Sequence, residues 1–140
     1  MKSPQARGVE TRRLYAFESS SKNYSSFANK QRPLSFLCAL AADVWQKHGR
    51  SRQRVPDVAF GEGTPHGSQK VSFCEGRNYI ELAETQRDVK VLLHELTHAL
   101  GYGNPHGKGF VRKYFDLLEE YGRCDRGALL LDAALFKLKL

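Results

Sequence analysis

Residues 94–110 read HELTHALGYGNPHGKGF, a stretch with three histidines, His94, His98 and His106, and one glutamate, Glu95. On an α-helix, four residues cover about 400° of rotation and roughly 6 Å of rise. His94 and His98 therefore project side by side from one face. Two imidazoles so placed can share one Zn²⁺ at about 2.0–2.1 Å each. Glu95 lies about 100° around the helix from His94. There it flanks a metal without ligating it and reaches a water on the ion, which is the position of a general base. The neighbours Leu92, Leu93, Leu96, Thr97, Ala99 and Leu100 carry no charge. A helix apolar nearly all round is a buried helix. Two histidines and a carboxylate inside it are costly without partners, and a metal ion with its water supplies them. The expected cofactor is Zn²⁺.

A catalytic zinc takes three protein ligands and keeps one position open. His106 is the candidate for the third. Gly101 and Gly103 break the helix, the loop is short, and Pro105 is expected to open the next helix with His106 in its first turn. Asp116, Glu119 and Glu120 are rivals further along that helix. With the fourth position open, Zn²⁺ lowers the pKa of its water toward about 7. Glu95 takes the proton, a polarised carbonyl is attacked, and Glu95 returns the proton to the leaving amine. A second oxyanion donor is expected among Tyr79, Tyr102, Tyr114 and His66, and the sequence does not choose between them. The expected function is that of a zinc-dependent endopeptidase acting on a protein substrate. Two other classes differ from it at the metal. A binding module with a structural zinc would close the fourth position with a protein ligand, and a repressor-cleaving regulatory metallopeptidase would use a carboxylate as third ligand.

Outward from this segment, the pattern predicts an α+β domain with a small, mostly antiparallel sheet packed on helices. "PLSFLCALAADVWQKHG" sets Leu34, Leu37, Leu40, Ala41, Val44 and Trp45 at helical spacing, with Pro33 at the start and Gly49 at the stop. Short strands are expected over 55–60, 70–75 and 77–84, the last two as a hairpin about Gly76. "GEGTPHG" reads as a loop from its glycines and proline. The histidine helix is expected over 85–100, with Thr85 and Asp88 as its starting pair. The following helix carries Phe110, Tyr114, Leu117, Leu118 and Tyr121 on one face and closes at Gly122.

The sequence divides into three parts: a basic, Ser-rich N-terminal arm over residues 1–33, the domain over 34–122, and an apolar tail over 123–140. The arm holds seven Lys or Arg against two Glu and is expected to be flexible, with order only around Leu14 and Phe17. The tail, "RGALLLDAALFKLKL", is expected to pack back on the core rather than cover a partner.

At this point the residues resemble a known family. "HELTHAL" followed closely by "HGKGF" and an aromatic-bearing helix is similar to the SprT-like zinc metallopeptidases, related to the Spartan and WLM-type enzymes, whose pattern is HExxH, a variable loop, then HGxxF or HGxxW. The resemblance covers roughly residues 34–122. It implies a zincin-like fold with HExxH on the active-site helix, His94, His98 and His106 as zinc ligands, and Glu95 as catalytic acid/base. It also implies action on DNA-associated proteins. The loop between His98 and His106 is short for the SprT-like pattern and closer to the WLM-type.

The chain has 140 residues, 41% of them hydrophobic, which suits one domain with a real core. The net charge of +7 favours acidic partners. Lys47, Arg50, Arg52 and Arg54 fall within eight positions, and the expected contact is non-specific, with nucleic-acid phosphates. The three cysteines, Cys38, Cys74 and Cys124, are scattered, so a disulfide framework is not expected and a reducing compartment is. The N-terminus lacks the apolar region of a secretory signal, and no run approaches the roughly 20 apolar residues of a membrane span. These features together point to a soluble cytoplasmic protein, of a size that suits a bacterial or phage-encoded enzyme.

Overall fold

The histidine helix is the centre of the molecule. In the computed structural model, which describes residues 4–20, 24–49, 53–102, 106–138 and 140, it runs as α4 (Val89–Leu100). Val89, Leu92, Leu93, Leu96 and Ala99 on it are fully buried. Its start differs from the expected one. Thr85 sits in a separate 3₁₀ turn, Glu84–Gln86. The helix is capped instead by Asp88, whose Oδ1 accepts from the Val91 backbone N–H at 2.9 Å. A short Asp side chain suits that cap better than a longer capping-box reach. At the other end Gly101 adopts φ +77°, the left-handed stop that glycine permits without strain.

Around α4 pack α2 (Ser26–Asn29), α3 (Leu34–His48), α5 (Lys108–Tyr121) and the main sheet, which α3 also touches. α3 buries Leu37, Ala41, Val44 and Trp45, close to the expected stripe, with Pro33 as its N-cap. Along α5, Phe110, Tyr114, Leu117 and Leu118 face the core as expected and Tyr121 is half-buried. The helix begins at Lys108, after an N-cap at Gly107, rather than at Pro105, which lies outside the described residues.

The main sheet has the order β1-β5-β4, from β1 (Asp57–Phe60), β4 (Phe73–Glu75) and β5 (Tyr79–Leu82). β5 pairs antiparallel with β4 and parallel with β1. Ile80 and Leu82 on β5 are fully buried while Tyr79 and Glu81 alternate with them to the other face. The expected strand over 70–75 is split at Ser72. Its N–H donates to the Gln86 side chain at 2.7 Å and its hydroxyl accepts from the Ala83 N–H at 2.8 Å, so it leaves the ladder. The expected loop over 61–67 contains a strand, β2 (Thr64–His66), paired antiparallel with β3 (Gln69–Val71). A tight turn at Gly67, with φ +63°, joins them, and Gly-Ser is a turn pair that a hairpin accepts. Two of the three strand pairings are thus antiparallel, in an α+β chain.

The two ends differ in how far they follow expectation. Where a flexible arm is expected, Pro4–Ser20 forms α1. Leu14 and Phe17 on it are fully buried, and the Phe17 ring lies 5.8 Å from Tyr24, 5.5 Å from Phe115 and 6.0 Å from Phe136. The tail forms α6 (Arg126–Leu135), capped by Asp125, and packs back through Leu129 and Ala133. All three cysteines are free. No helix among the described residues is long and apolar enough to cross a membrane.

Candidate metal centre

His94 and His98 leave α4 from one face, as the spacing predicts, with ring centroids 5.0 Å apart. His106 meets them from the turn before α5, not from that helix's first turn. It takes φ +64°, in the left-handed region that non-glycine residues enter rarely and at a cost. That conformation swings its ring back over α4. His106 Nε2 stands 3.0 Å from His98 Nε2 and 3.2 Å from His94 Nε2. Two nitrogens each about 2.05 Å from one tetrahedral ion stand about 3.3 Å apart. The three imidazoles are therefore already arranged as ligands of a common ion, and the triad can hold a metal.

Phe110 forms the floor beneath the triad. Its ring lies 5.1 Å from His94, 4.6 Å from His98 and 5.1 Å from His106. On the outer side of the rings, two residues of α1 reach the Nδ1 atoms. Glu18 Oε2 lies 2.9 Å from His94 Nδ1, a charged contact bent away from the N–H axis. Thr11 Oγ1 lies 3.1 Å from His106 Nδ1.

Electrostatics separate the three rings. Burial works against a charge on His94, but the Glu18 carboxylate at its Nδ1, with a smaller push from Glu95, raises its pKa to about 9. Burial, and then the positive charge of His94, push His98 and His106 down to about 3. Without a cation, His106 Nε2 faces the Nε2 atoms of both His98 and His94, and of the three rings only His94 carries an extra proton. A divalent ion takes the place of that proton and uses all three lone pairs, so the donor set fits a metal.

Glu95 is buried beside the triad but contributes no ligand atom to it. Burial raises its pKa, His94 counters that, and Glu18 adds to it. With His94 and His98 it forms one wall of a cavity of about 420 Å³. A second cavity of about 360 Å³ continues along α1 past Glu18 toward Lys90. Tyr15, His66, Val71, Ser72, His94 and Glu95 line both, so the two are halves of one cleft. Tyr15 on α1 and His66 on β2 meet across it with ring centroids 5.5 Å apart.

The other sequence candidates fall elsewhere. Asp116 pairs with Arg126 at 2.8 Å, Glu120 pairs with Lys47 and His48 at 2.5 and 2.8 Å, and Glu119 is exposed; none joins the triad. Of the four expected oxyanion donors, only His66 lines the cleft. The Tyr114 hydroxyl is buried between the Tyr24 hydroxyl at 3.1 Å and the Lys90 carbonyl at 3.3 Å. Tyr79 donates to Glu81 at 2.7 Å, and Tyr102 lies under the Lys113 ammonium. In the basic cluster, Lys47 is committed to Glu120 and Arg54 is exposed, while Arg50 and Arg52 lie outside the described residues. Sequence reasoning missed Thr11, Tyr15 and Glu18. Their one signal was the spacing of Leu14 and Phe17, which already marked a helical turn in the arm.

Comparison with family models, with curated proteins and with solved structures finds no match for this chain.

Proposed function

We propose that the protein is a zinc-dependent endopeptidase, with His94, His98 and His106 as zinc ligands and Glu95 as general base. The observation that carries this reading is the convergence of three Nε2 atoms beside a buried carboxylate that lines the cleft without joining the ligand group. An all-imidazole donor set suits Zn²⁺, as it also suits copper, iron and nickel, and three His with an open position is a known catalytic zinc arrangement. Among the described residues no fourth His, Cys, Asp or Glu offers a ligand atom to the cluster, which favours an open catalytic site over a closed structural one. When bound, Zn²⁺ supplies a water activated near neutral pH and a Lewis acid for the carbonyl.

The chain's own residues account for the rest. The raised pKa of Glu95 suits a group that must accept a proton and then release it. Phe110 packs its ring against all three ligand rings. β4 is an edge strand, and Phe73 and Cys74 on it line the cleft beside His94, Glu95 and His98. An edge strand offers unpaired backbone groups to an extended polypeptide, which is the substrate form proposed here. His66, at the cleft, is the candidate to polarise the scissile carbonyl.

The test is digestion of an unstructured polypeptide such as casein by zinc-loaded wild type and by Glu95→Gln, with metal content measured on both. The expected result is about one zinc per chain in each protein and cleavage only by the wild type, abolished by chelator. General base loss costs about 10²–10⁴-fold. A zinc-loaded wild type that cleaves nothing, or a Glu95→Gln protein of undiminished activity, overturns the proposal.

A further inference from the structure

Thr11, Tyr15 and Glu18 fall at i, i+4 and i+7 of α1, on one face of the helix. All three touch the metal centre. Thr11 reaches His106 Nδ1 at 3.1 Å, Glu18 reaches His94 Nδ1 at 2.9 Å, and the Tyr15 ring lies 5.3 Å from that of His106. The same helix drives Leu14 and Phe17 fully into the core, which fixes its rotation and so the aim of the three polar residues. A histidine that ligates through Nε2 keeps its proton on Nδ1, and an acceptor at Nδ1 sets the ring's tautomer and orientation. Thr11 supplies such an acceptor to His106, and Glu18 sets a carboxylate charge 2.9 Å from His94 Nδ1 without a straight hydrogen bond.

We infer that α1 is a working half of the metal site, with Glu18 and Thr11 as positioning residues that hold His94 and His106 in ligating orientation. This rests on the reading of the triad as a metal site, and not on peptidase activity. Glu18 acts through charge, because a carboxylate beside Nδ1 makes the ring a stronger donor and favours one placement of it. Thr11 acts through direction alone. His106 needs that help, because it stands on a left-handed backbone before α5, with no helix to fix it.

The test uses the full chain. Glu18→Gln and Thr11→Val keep shape and remove the charge or the acceptor; Glu18→Asp and Thr11→Ser restore them in part. Zinc affinity is measured by competition with a chromophoric chelator, and the cobalt-loaded proteins are compared by their visible ligand-field bands. Thermal midpoints are taken in chelator. Expected is a loss of zinc affinity of about 10–100-fold for Glu18→Gln and for Thr11→Val. Cobalt bands should shift, the midpoint in chelator should hold within a few degrees, and Thr11→Ser should recover most of the affinity. A purely structural role for α1 would lower the chelator midpoint and leave the affinity of the folded protein alone, and that result overturns the inference. If His106→Ala abolishes zinc binding while both α1 variants bind as wild type does, the inference falls and the metal reading stands. If the wild type takes up no zinc, both fall.

Discussion

Phe110→Ala probes the fold and the site in one substitution. The ring is 1% exposed and lies within 4.6–5.1 Å, centroid to centroid, of all three imidazoles. Removing a buried phenyl costs about 3–5 kcal/mol, the transfer term plus the cavity it leaves. At about 2.1 cal/mol/K per residue, 140 residues unfold with an entropy of about 0.29 kcal/mol/K. A loss of about 4 kcal/mol then lowers the midpoint by about 14 °C. That holds in chelator. In zinc at 100 times the dissociation constant, the wild type gains about 2.7 kcal/mol from binding. If loss of the floor weakens zinc tenfold, the variant forfeits about 1.4 kcal/mol of that gain, a further 5 °C or so. The assay is thermal unfolding followed by circular dichroism, in zinc and in chelator. A total loss below about 1 kcal/mol would mean that Phe110 is not in the core as placed. Equal losses in zinc and in chelator would mean that it fills space without holding the ligands.

Two further outcomes follow from the site and its surroundings. In the metal-free protein His94 keeps its proton up to about pH 9, while His98 and His106 are neutral. Zinc binding at pH 7.5 should therefore release about one proton, and the number should fall toward zero above pH 9; calorimetry in two buffers of different ionisation enthalpy counts it. Gly101→Ala should cost about 1 kcal/mol or more in a urea titration, because φ is +77° and a Cβ there would meet the Arg77 guanidinium at 2.8 Å.

What was legible in the sequence is what depends on local spacing. The pair His94 and His98, the burial of α4, the core stripe of α5 and the choice of His106 over Asp116, Glu119 and Glu120 all follow from offsets along the chain. The features that were not legible depend on what lies opposite. β2 was hidden because Pro65 and two flanking glycines read as a loop, and only the partner strand β3 makes Thr64–His66 a strand. The parallel pairing of β1 with β5 joins segments about twenty residues apart, and neither carries a mark of its partner. The left-handed turn at His106 comes from the demand that its ring face α4, which no propensity encodes.

α1 is the instructive failure. An amphipathic helix is recognised by an apolar stripe, and the inner face of this one carries Thr11 and Glu18 beside Leu14 and Phe17. It reads as a polar arm because the surface it covers is itself polar: a cluster of imidazoles with two outward Nδ1 atoms that need acceptors. The residues that hide the helix from a hydrophobic pattern are those that tie it to the candidate metal centre. The coupling has a reciprocal consequence. If docking of α1 strengthens metal binding tenfold, metal must strengthen the docking of α1 by the same factor, about 1.4 kcal/mol. The ion would then join segments as much as 95 residues apart in the chain, through two contacts to rings it holds in place.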